Sequence, residues 1–278
     1  MPTTQPRPIE LSRVTRFSIN PNGSTQGENS FAGKPSMSGL GRYYELEIGV
    51  RGKPDPETGY LIGIHEIDAL VREHLVPVIS EQCEIDPTAE PAAMLEQLWE
   101  IASARIQHEL RRLNWRLSPY YQVQMTARTH TSTSVLLRQR FEFAAAHRLH
   151  TPAMSDEENA RFFGKCNNPS GHGHNYQLEP CVRTPLEQVE RVDVQHGIQQ
   201  AVNAVLLDKL DHKFLSTDCD WFNLDKGGVI SSVENIARVC FDQLAPAIAE
   251  IGDGIELVSM TAWETEKTSA VYPADADI

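Results

Sequence analysis

Gly171-His-Gly-His-Asn-Tyr176 has an altered twin in Gly39-Leu-Gly-Arg-Tyr-Tyr44, 132 positions earlier in the chain. Val258-Ser-Met-Thr-Ala-Trp-Glu264 is matched by Val123-Gln-Met-Thr-Ala-Arg-Thr129, 135 positions earlier, and Arg140-Phe141 by Arg16-Phe17. Three matches in one order, two of them at nearly the same offset, read as an internal duplication, which sets the fold before any motif is read. Each half then shows one pattern. Two extended segments come first, for example Tyr43–Val50 in one half and Asn175–Arg183 in the other. Stretches with apolar residues at three-and-four spacing follow: Ile64–Ile79 and Ala92–Leu113, then Ile198–Leu210 and Val233–Ile248. Two strands close each half, Tyr121–Arg128 with Ser134–Leu137, and Glu256–Trp263 with Ser269–Tyr272. The expectation is ββααββ twice, an α+β fold with helices on one face of an antiparallel sheet.

The chain has 278 residues, which suits two domains of about 100–150 residues each. The expected division is a disordered tail over 1–12, a first domain over 13–137 and a second over 138–278. No Gly/Ser/Pro linker separates the halves, and Val135–Phe143 reads as one continuous strand, so the domains are expected to be fused rigidly. Asn20–Ser38, rich in Gly, Ser, Asn and Pro, reads as a loop. The sequence contains no apolar run long enough to span a membrane, and the polar Met1–Glu10 is expected to be a disordered tail rather than a signal peptide. Five cysteines without a CxxC pair point to reduced thiols and a cytoplasmic protein. A net charge of −13 argues against nucleic acid as the main partner. It leaves room for a small anionic substrate, because a few basic groups in one cleft can oppose the overall charge.

His172 and His174 are two apart and lead into the strand-like Asn175–Glu179, so both imidazoles point to one side. His147 ends a second strand-like run, Phe141–His147, and offers a third ligand. Three histidines with an open position form a catalytic zinc site rather than a closed structural one. Gly171 and Gly173 admit close backbone approach beside the ligands.

Gly164-Lys-Cys-Asn-Asn-Pro-Ser-Gly-His-Gly-His-Asn-Tyr176, preceded by Phe141–His147 and followed by Leu210-Asp-His-Lys-Phe-Leu215 and Trp263-Glu-Thr-Glu-Lys267, resembles the 6-pyruvoyl-tetrahydropterin synthase family. The resemblance covers the whole second half. It implies a tandem T-fold and a zinc-dependent lyase that converts 7,8-dihydroneopterin triphosphate with loss of triphosphate. It implies zinc ligands at His147, His172 and His174, a catalytic cysteine at Cys166, and a proton-transfer pair at Asp211 and His212. It also implies a pterin-anchoring carboxylate at Glu264, pterin contacts at Ser231 and Ser232, and assembly into a homo-oligomer. The chemistry suits these residue types. Zinc on the side-chain oxygens acidifies neighbouring C–H bonds, a thiolate near a cation is a competent base, and an oriented imidazole delivers protons. Asp193 falls where an Asp begins a helix in the family and reads as a cap.

The sequence departs from the family in two places. Ser231-Ser-Val-Glu-Asn-Ile236 replaces a Pro-Thr or Thr-Thr before Glu-Asn, and the first half has Leu40, Arg42 and Thr129 where the second has His172, His174 and Glu264. The first half therefore reads as a copy without a zinc site. Three other readings stand beside the leading one: a 6-carboxytetrahydropterin synthase using the same substrate, a non-catalytic pterin-binding or scaffold protein, and a structural zinc protein with Cys166 as fourth ligand.

Overall fold

In this computed structural model, residues 7–21, 23 and 37–276 are described. Two compact units emerge, one ending at Leu137 and taking in Pro185–Glu190, the other formed by Arg138–Thr184 with the residues from Arg191 onward.

In the first unit, β1 (Ile9–Ile19) pairs antiparallel with β2 (Arg42–Gly52). The chain then forms α1 (Ile64–Leu70), a π-helical turn (Val71–Leu75), α2 (Val76–Ile85) and α3 (Leu95–Ser103). Strands β3 (Glu109–Ser118) and β4 (Tyr121–Thr126) complete an antiparallel order β1-β2-β3-β4. Period-two alternation divides the faces. Phe17, Leu46, Ile48 and Leu113 are fully buried with Ile67, Val71, Leu75 and Leu98 of the helices. The opposite face carries a ladder of opposite charges, Arg16–Glu45 (3.2 Å), Arg116–Glu45 (3.0 Å), Arg116–Glu47 (3.2 Å) and Arg112–Glu47 (3.0 Å). The short helix α4 (Ala127–Thr131) starts where Thr126 Oγ1 accepts from the Thr129 amide at 3.2 Å. Strand β5 (Ser134–Gln139) follows.

The second unit opens with β6 (Phe141–His147), α5 (Asp156–Phe163) and β7 (His172–Pro185). After α6 (Leu186–Val189) come α7 (Val194–Val202), a second π-helical turn (Asn203–Leu207) and α8 (Asp208–Leu210). Short β8 (Lys213–Phe214) runs parallel to β6, and α9 (Leu215–Asp218) and α10 (Val233–Ala249) lead to β9 (Glu256–Thr265) and β10 (Thr268–Tyr272). Within this unit β6-β7-β9-β10 are antiparallel neighbours in that order. Tyr176 and Leu178, Met260 and Ala262, and Ile198, Ile236 and Leu244 are all fully buried. Asp193 caps α7, accepting from the His196 amide at 2.9 Å, as its position implied.

The α+β arrangement is present in both units, and several boundaries differ from expectation. Residues 1–6 and most of Asn20–Ser38 lie outside the described residues, and Ile9–Ser12 belong to β1 rather than to a tail. The helix expected over Ala92–Leu113 stops at Ser103, and Glu109–Leu113 is strand. The cause is a β-bulge: Val50 opposes Leu110 and Gly49 opposes Arg112, leaving Arg111 extra. Inserting one residue turns strand alternation into a Leu110–Leu113 spacing of three, which imitates a helix. Tyr121–Arg128 ends as strand at Thr126, and the continuous strand expected over Val135–Phe143 is interrupted at Arg140.

The equivalence between the halves is also re-registered. Strand β7 pairs β9 with a bulge between Cys181 and Val182, as β2 pairs β3 with one between Gly49 and Val50. The counterpart of β9 is therefore β3, not β4, and the position of Glu264 corresponds to Leu117 rather than Thr129. Phe17 opposes Tyr44 as Phe143 opposes Tyr176, so Phe17 matches Phe143 rather than Phe141. Leu40 and Arg42 still correspond to His172 and His174.

Candidate active site

Antiparallel pairing of β6 with β7 places His147 directly opposite His172, and the period-two side-chain pattern brings His174 to the same face. The ligand atoms of all three imidazoles lie within 4.8 Å of one another, and His147 Nε2 is 3.1 Å from His172 Nε2. His147 is fully buried, and its Nδ1 lies 2.8 Å from the Ser231 carbonyl. A carbonyl only accepts, so Nδ1 carries the proton and Nε2 presents a lone pair to its neighbours. Burial is the main force holding this imidazole neutral. It pulls His147 down to about 4 against the upward effect of the Ser231 bond, with help from His172 and His174. Burial also lowers His174, although the Glu264 charge opposes it.

Glu264, on β9, completes the group. Its Oε1 is 3.2 Å from His147 Nε2 and 3.6 Å from His174 Nε2, and the latter is buried without a hydrogen bond. Imidazole nitrogens and a carboxylate converging at these distances suit a cation at their centre. The residues present fit a metal ion. Among the described residues, this histidine cluster does not include Cys166. Glu264, for which the resemblance implied a pterin-anchoring role, is turned toward the imidazoles.

Cys166 sits half-buried in the 3-10 turn Gly164–Asn167. That turn is laced to the end of β6. The Leu149 amide donates to the Cys166 carbonyl (2.8 Å), Asn167 Nδ2 donates to the Leu149 carbonyl (2.7 Å), and Arg148 Nε donates to the Asn167 carbonyl (3.1 Å). The main chain of Cys166 is thereby held beside the end of the strand that supplies His147.

Asp211 and His212 are clipped to the same strand. The Ala144 amide donates to Asp211 Oδ1 (2.9 Å), and the His212 amide donates to the Ala144 carbonyl (2.7 Å). Asp211 Oδ2 accepts from His212 Nδ1 at 2.8 Å, leaving His212 Nε2 directed outward on a side chain that is 82% exposed. The Ala144 amide, and then His212, hold the Asp211 carboxyl below its ordinary value. His212 takes a left-handed backbone conformation, φ +55°, uncommon for a residue with a Cβ. A groove of about 860 Å³ joins Asp211, His212, His174, Gly173, Trp263 and Glu264.

Ser231 and Ser232 act here through the backbone and the helix start. The Ser231 carbonyl orients His147, its hydroxyl is buried 3.4 Å from Ser216 Oγ, and Ser232 Oγ caps α10 by accepting from the Asn235 amide at 3.4 Å. Asn235 Nδ2 in turn donates to the Ile230 carbonyl at 2.9 Å, fixing the turn. Sequence reasoning missed the Ser231 carbonyl, because a backbone acceptor leaves no residue-type signal. It also missed Tyr176, which the two-residue periodicity from His174 would have placed on the ligand face.

Against known proteins, the family model of 6-pyruvoyl tetrahydropterin synthase matches residues 136–275. The 6-pyruvoyl tetrahydrobiopterin synthase of Poecilia reticulata is 38% identical over 132 residues, covering 47% of this chain and 84% of that protein. The Homo sapiens protein of the same name is 33% identical over 138 residues, 49% of this chain and 90% of its own. Among solved structures, the Caenorhabditis elegans 6-pyruvoyl tetrahydropterin synthase aligns with a TM-score of 0.41 and 32% identity, covering 50% of this chain and 94% of that one.

Proposed function

Because the chain belongs to the 6-pyruvoyl tetrahydropterin synthase family, we propose that its second unit is a zinc-dependent lyase that converts 7,8-dihydroneopterin triphosphate to 6-pyruvoyl-tetrahydropterin with loss of triphosphate. The observation that carries this reading is the convergence of three imidazoles and one carboxylate beside a groove that also holds an oriented Asp–His pair. Zinc suits three nitrogen donors with one position left open.

His147, His172 and His174 would hold the ion, with the Ser231 carbonyl fixing the tautomer of His147. A bound zinc supplies Lewis acidity to the oxygens of the substrate side chain, easing removal of the neighbouring carbon-bound protons. Cys166, outside the ligand set, takes the role of base. His212 would pass the proton through Nε2, its ring oriented by Asp211 and its main chain by Ala144. Glu264, beside His147 and His174, would anchor the pterin ring with its carboxylate. The groove volume suits a ligand of pterin triphosphate size.

In this reading the first unit is a copy without a metal site, and the second unit is the catalytic domain. The protein works in the cytoplasm as a homo-oligomer. The five free thiols and the single-sided pairing of β1 and β10 within their units support that assignment. The test is mass spectrometry of the products formed from 7,8-dihydroneopterin triphosphate. The expected products are 6-pyruvoyl-tetrahydropterin and triphosphate, lost on chelation and restored by zinc. A 6-carboxytetrahydropterin product would move the enzyme to the neighbouring activity, and no turnover with zinc bound would leave a binding or structural protein.

A further inference from the structure

The groove beside Asp211 and His212 continues into a second hollow of about 550 Å³. The two share Ala144, Gly173, His174, Asn175 and His212, so they form one depression with two ends. The ends differ in charge. Among the described residues, Glu142, Asp211, Glu264 and Glu266 line the first hollow, which has no lysine or arginine. The second has no carboxylate and takes in Lys213.

Lys213 is exposed, and its ammonium has no hydrogen bond or ion pair with a described residue. Lys226 and Arg238, by contrast, are held by Asp220 at 2.6 Å and Asp242 at 3.2 Å. The carboxylate within electrostatic reach of Lys213 is Asp218, already engaged by the Phe214 amide and the Thr217 hydroxyl, each at 2.9 Å. Its main chain is fixed, since β8 pairs with Ala145 and Ala146 of β6. A cation left open on a concave wall draws polyanions from solvent, even on a chain whose net charge is −13. The strand order sets the scale. Glu264 stands on β9, His172 and His174 on β7, His147 on β6 and Lys213 on β8, and these strands are neighbours in that order. Adjacent strands lie about 4.8 Å apart, so β9 and β8 are separated by roughly 14 Å with the imidazole-bearing strands between them. A pterin triphosphate has the same sequence of groups: a ring edge rich in N–H donors, side-chain oxygens for a metal, then a polyanion.

We infer that Lys213 binds the triphosphate of the substrate, which lies across the strands with its ring toward Glu264 and its phosphates at the open ammonium. The reverse orientation would set the phosphates against four carboxylates. Lys213 keeps its proton throughout and makes no covalent bond. The inference rests on the reading of the substrate as a pterin triphosphate, and the test separates the two. Calorimetry on the intact, zinc-loaded protein uses two probes, inorganic triphosphate and neopterin. In Lys213→Gln the Kd for triphosphate should rise about ten-fold or more at low salt, with neopterin affinity and zinc content unchanged. The salt dependence of triphosphate binding should shrink in that variant, because a charge contact has been removed. Lys213→Arg should keep most of the affinity. Lys226→Gln, which changes the net charge equally, should alter neither probe. In turnover, Lys213→Gln should raise the KM for 7,8-dihydroneopterin triphosphate by a similar factor, with a smaller effect on kcat.

A protein that turns the substrate over, yet whose triphosphate affinity and KM are untouched by Lys213→Gln, would overturn the inference alone. An equal loss from Lys226→Gln would reduce the effect to overall charge and overturn it too. So would a matching loss of neopterin affinity or of zinc in Lys213→Gln, which would place the value of the lysine in the shape of the site. A zinc-loaded protein that neither binds neopterin nor turns the substrate over would sink the substrate reading itself, and the inference with it.

Discussion

His147 is the residue on which most of the site depends, and its environment makes a pH prediction with a definite sign. Burial holds its folded-state value near 4, below the ordinary imidazole value of 6.5. In metal-free protein between those limits, the unfolded chain binds the proton and the folded chain does not. Stability is therefore full above pH 6.5, falls as pH drops toward 4, and loses nothing further from this group below that. The loss amounts to roughly 3 kcal/mol at its limit. Thermal melts of metal-free protein should show this slope, and His147→Asn, which retains a donor for the Ser231 carbonyl, should flatten it. Metal binding should weaken over the same interval, since a protonated imidazole has no lone pair to give. At this scale, the three ligands could be read from their spacing. The orientation of Glu264 could not, because strand alternation gives the face a side chain takes but not which neighbour it turns toward.

Among the elements, β7 begins with a contrast that its two glycines make measurable. Gly171 has φ +71°, and a Cβ there would lie 2.7 Å from Phe214 Cε2 and 3.0 Å from the His147 carbonyl. Gly173 has room, its nearest neighbour being the Ala145 carbonyl at 3.7 Å. Close approach, expected at both, exists only at the first. Gly171→Ala should cost about 1–3 kcal/mol in denaturant unfolding through overpacking and backbone strain, and should weaken metal binding by displacing β6 from β7. Gly173→Ala should unfold and bind metal like the parent; equal damage from both would contradict the geometry. The elements were legible in the sequence wherever periodicity was uninterrupted, as in β6, α7 and α10. They were misread where a bulge broke the alternation, as at Arg111. The short helix α4 escaped because its cap, Thr126 with Thr129, lies within a stretch that otherwise alternates like a strand.

For the molecule as a whole, the family model covers the second half, and the first unit bears on metal stoichiometry. At the counterparts of His172 and His174 stand Leu40, 95% exposed, and Arg42, already bonded to Cys83 and the Pro87 carbonyl. Leucine has no donor atom, and arginine stays protonated. Metal analysis of the intact protein should therefore find one ion per chain, and a His172→Ala/His174→Ala protein should have none. Two ions per chain would mean that the first unit binds by a route its residues do not suggest.

The π-helical turns carry a chronology. A π turn is what remains when one extra residue is accommodated inside an α-helix, and it is rare. Val71–Leu75 and Asn203–Leu207 hold it at the same place in the two units, separated by the offset that relates Gly39–Tyr44 to Gly171–Tyr176. On the duplication reading, the insertion is older than the doubling of the gene, since two independent insertions at one helical position would be a coincidence. The histidines follow a different history, present in one descendant and absent from the other. The helix records what the ancestor already possessed, and Arg42 records what one copy became free to change.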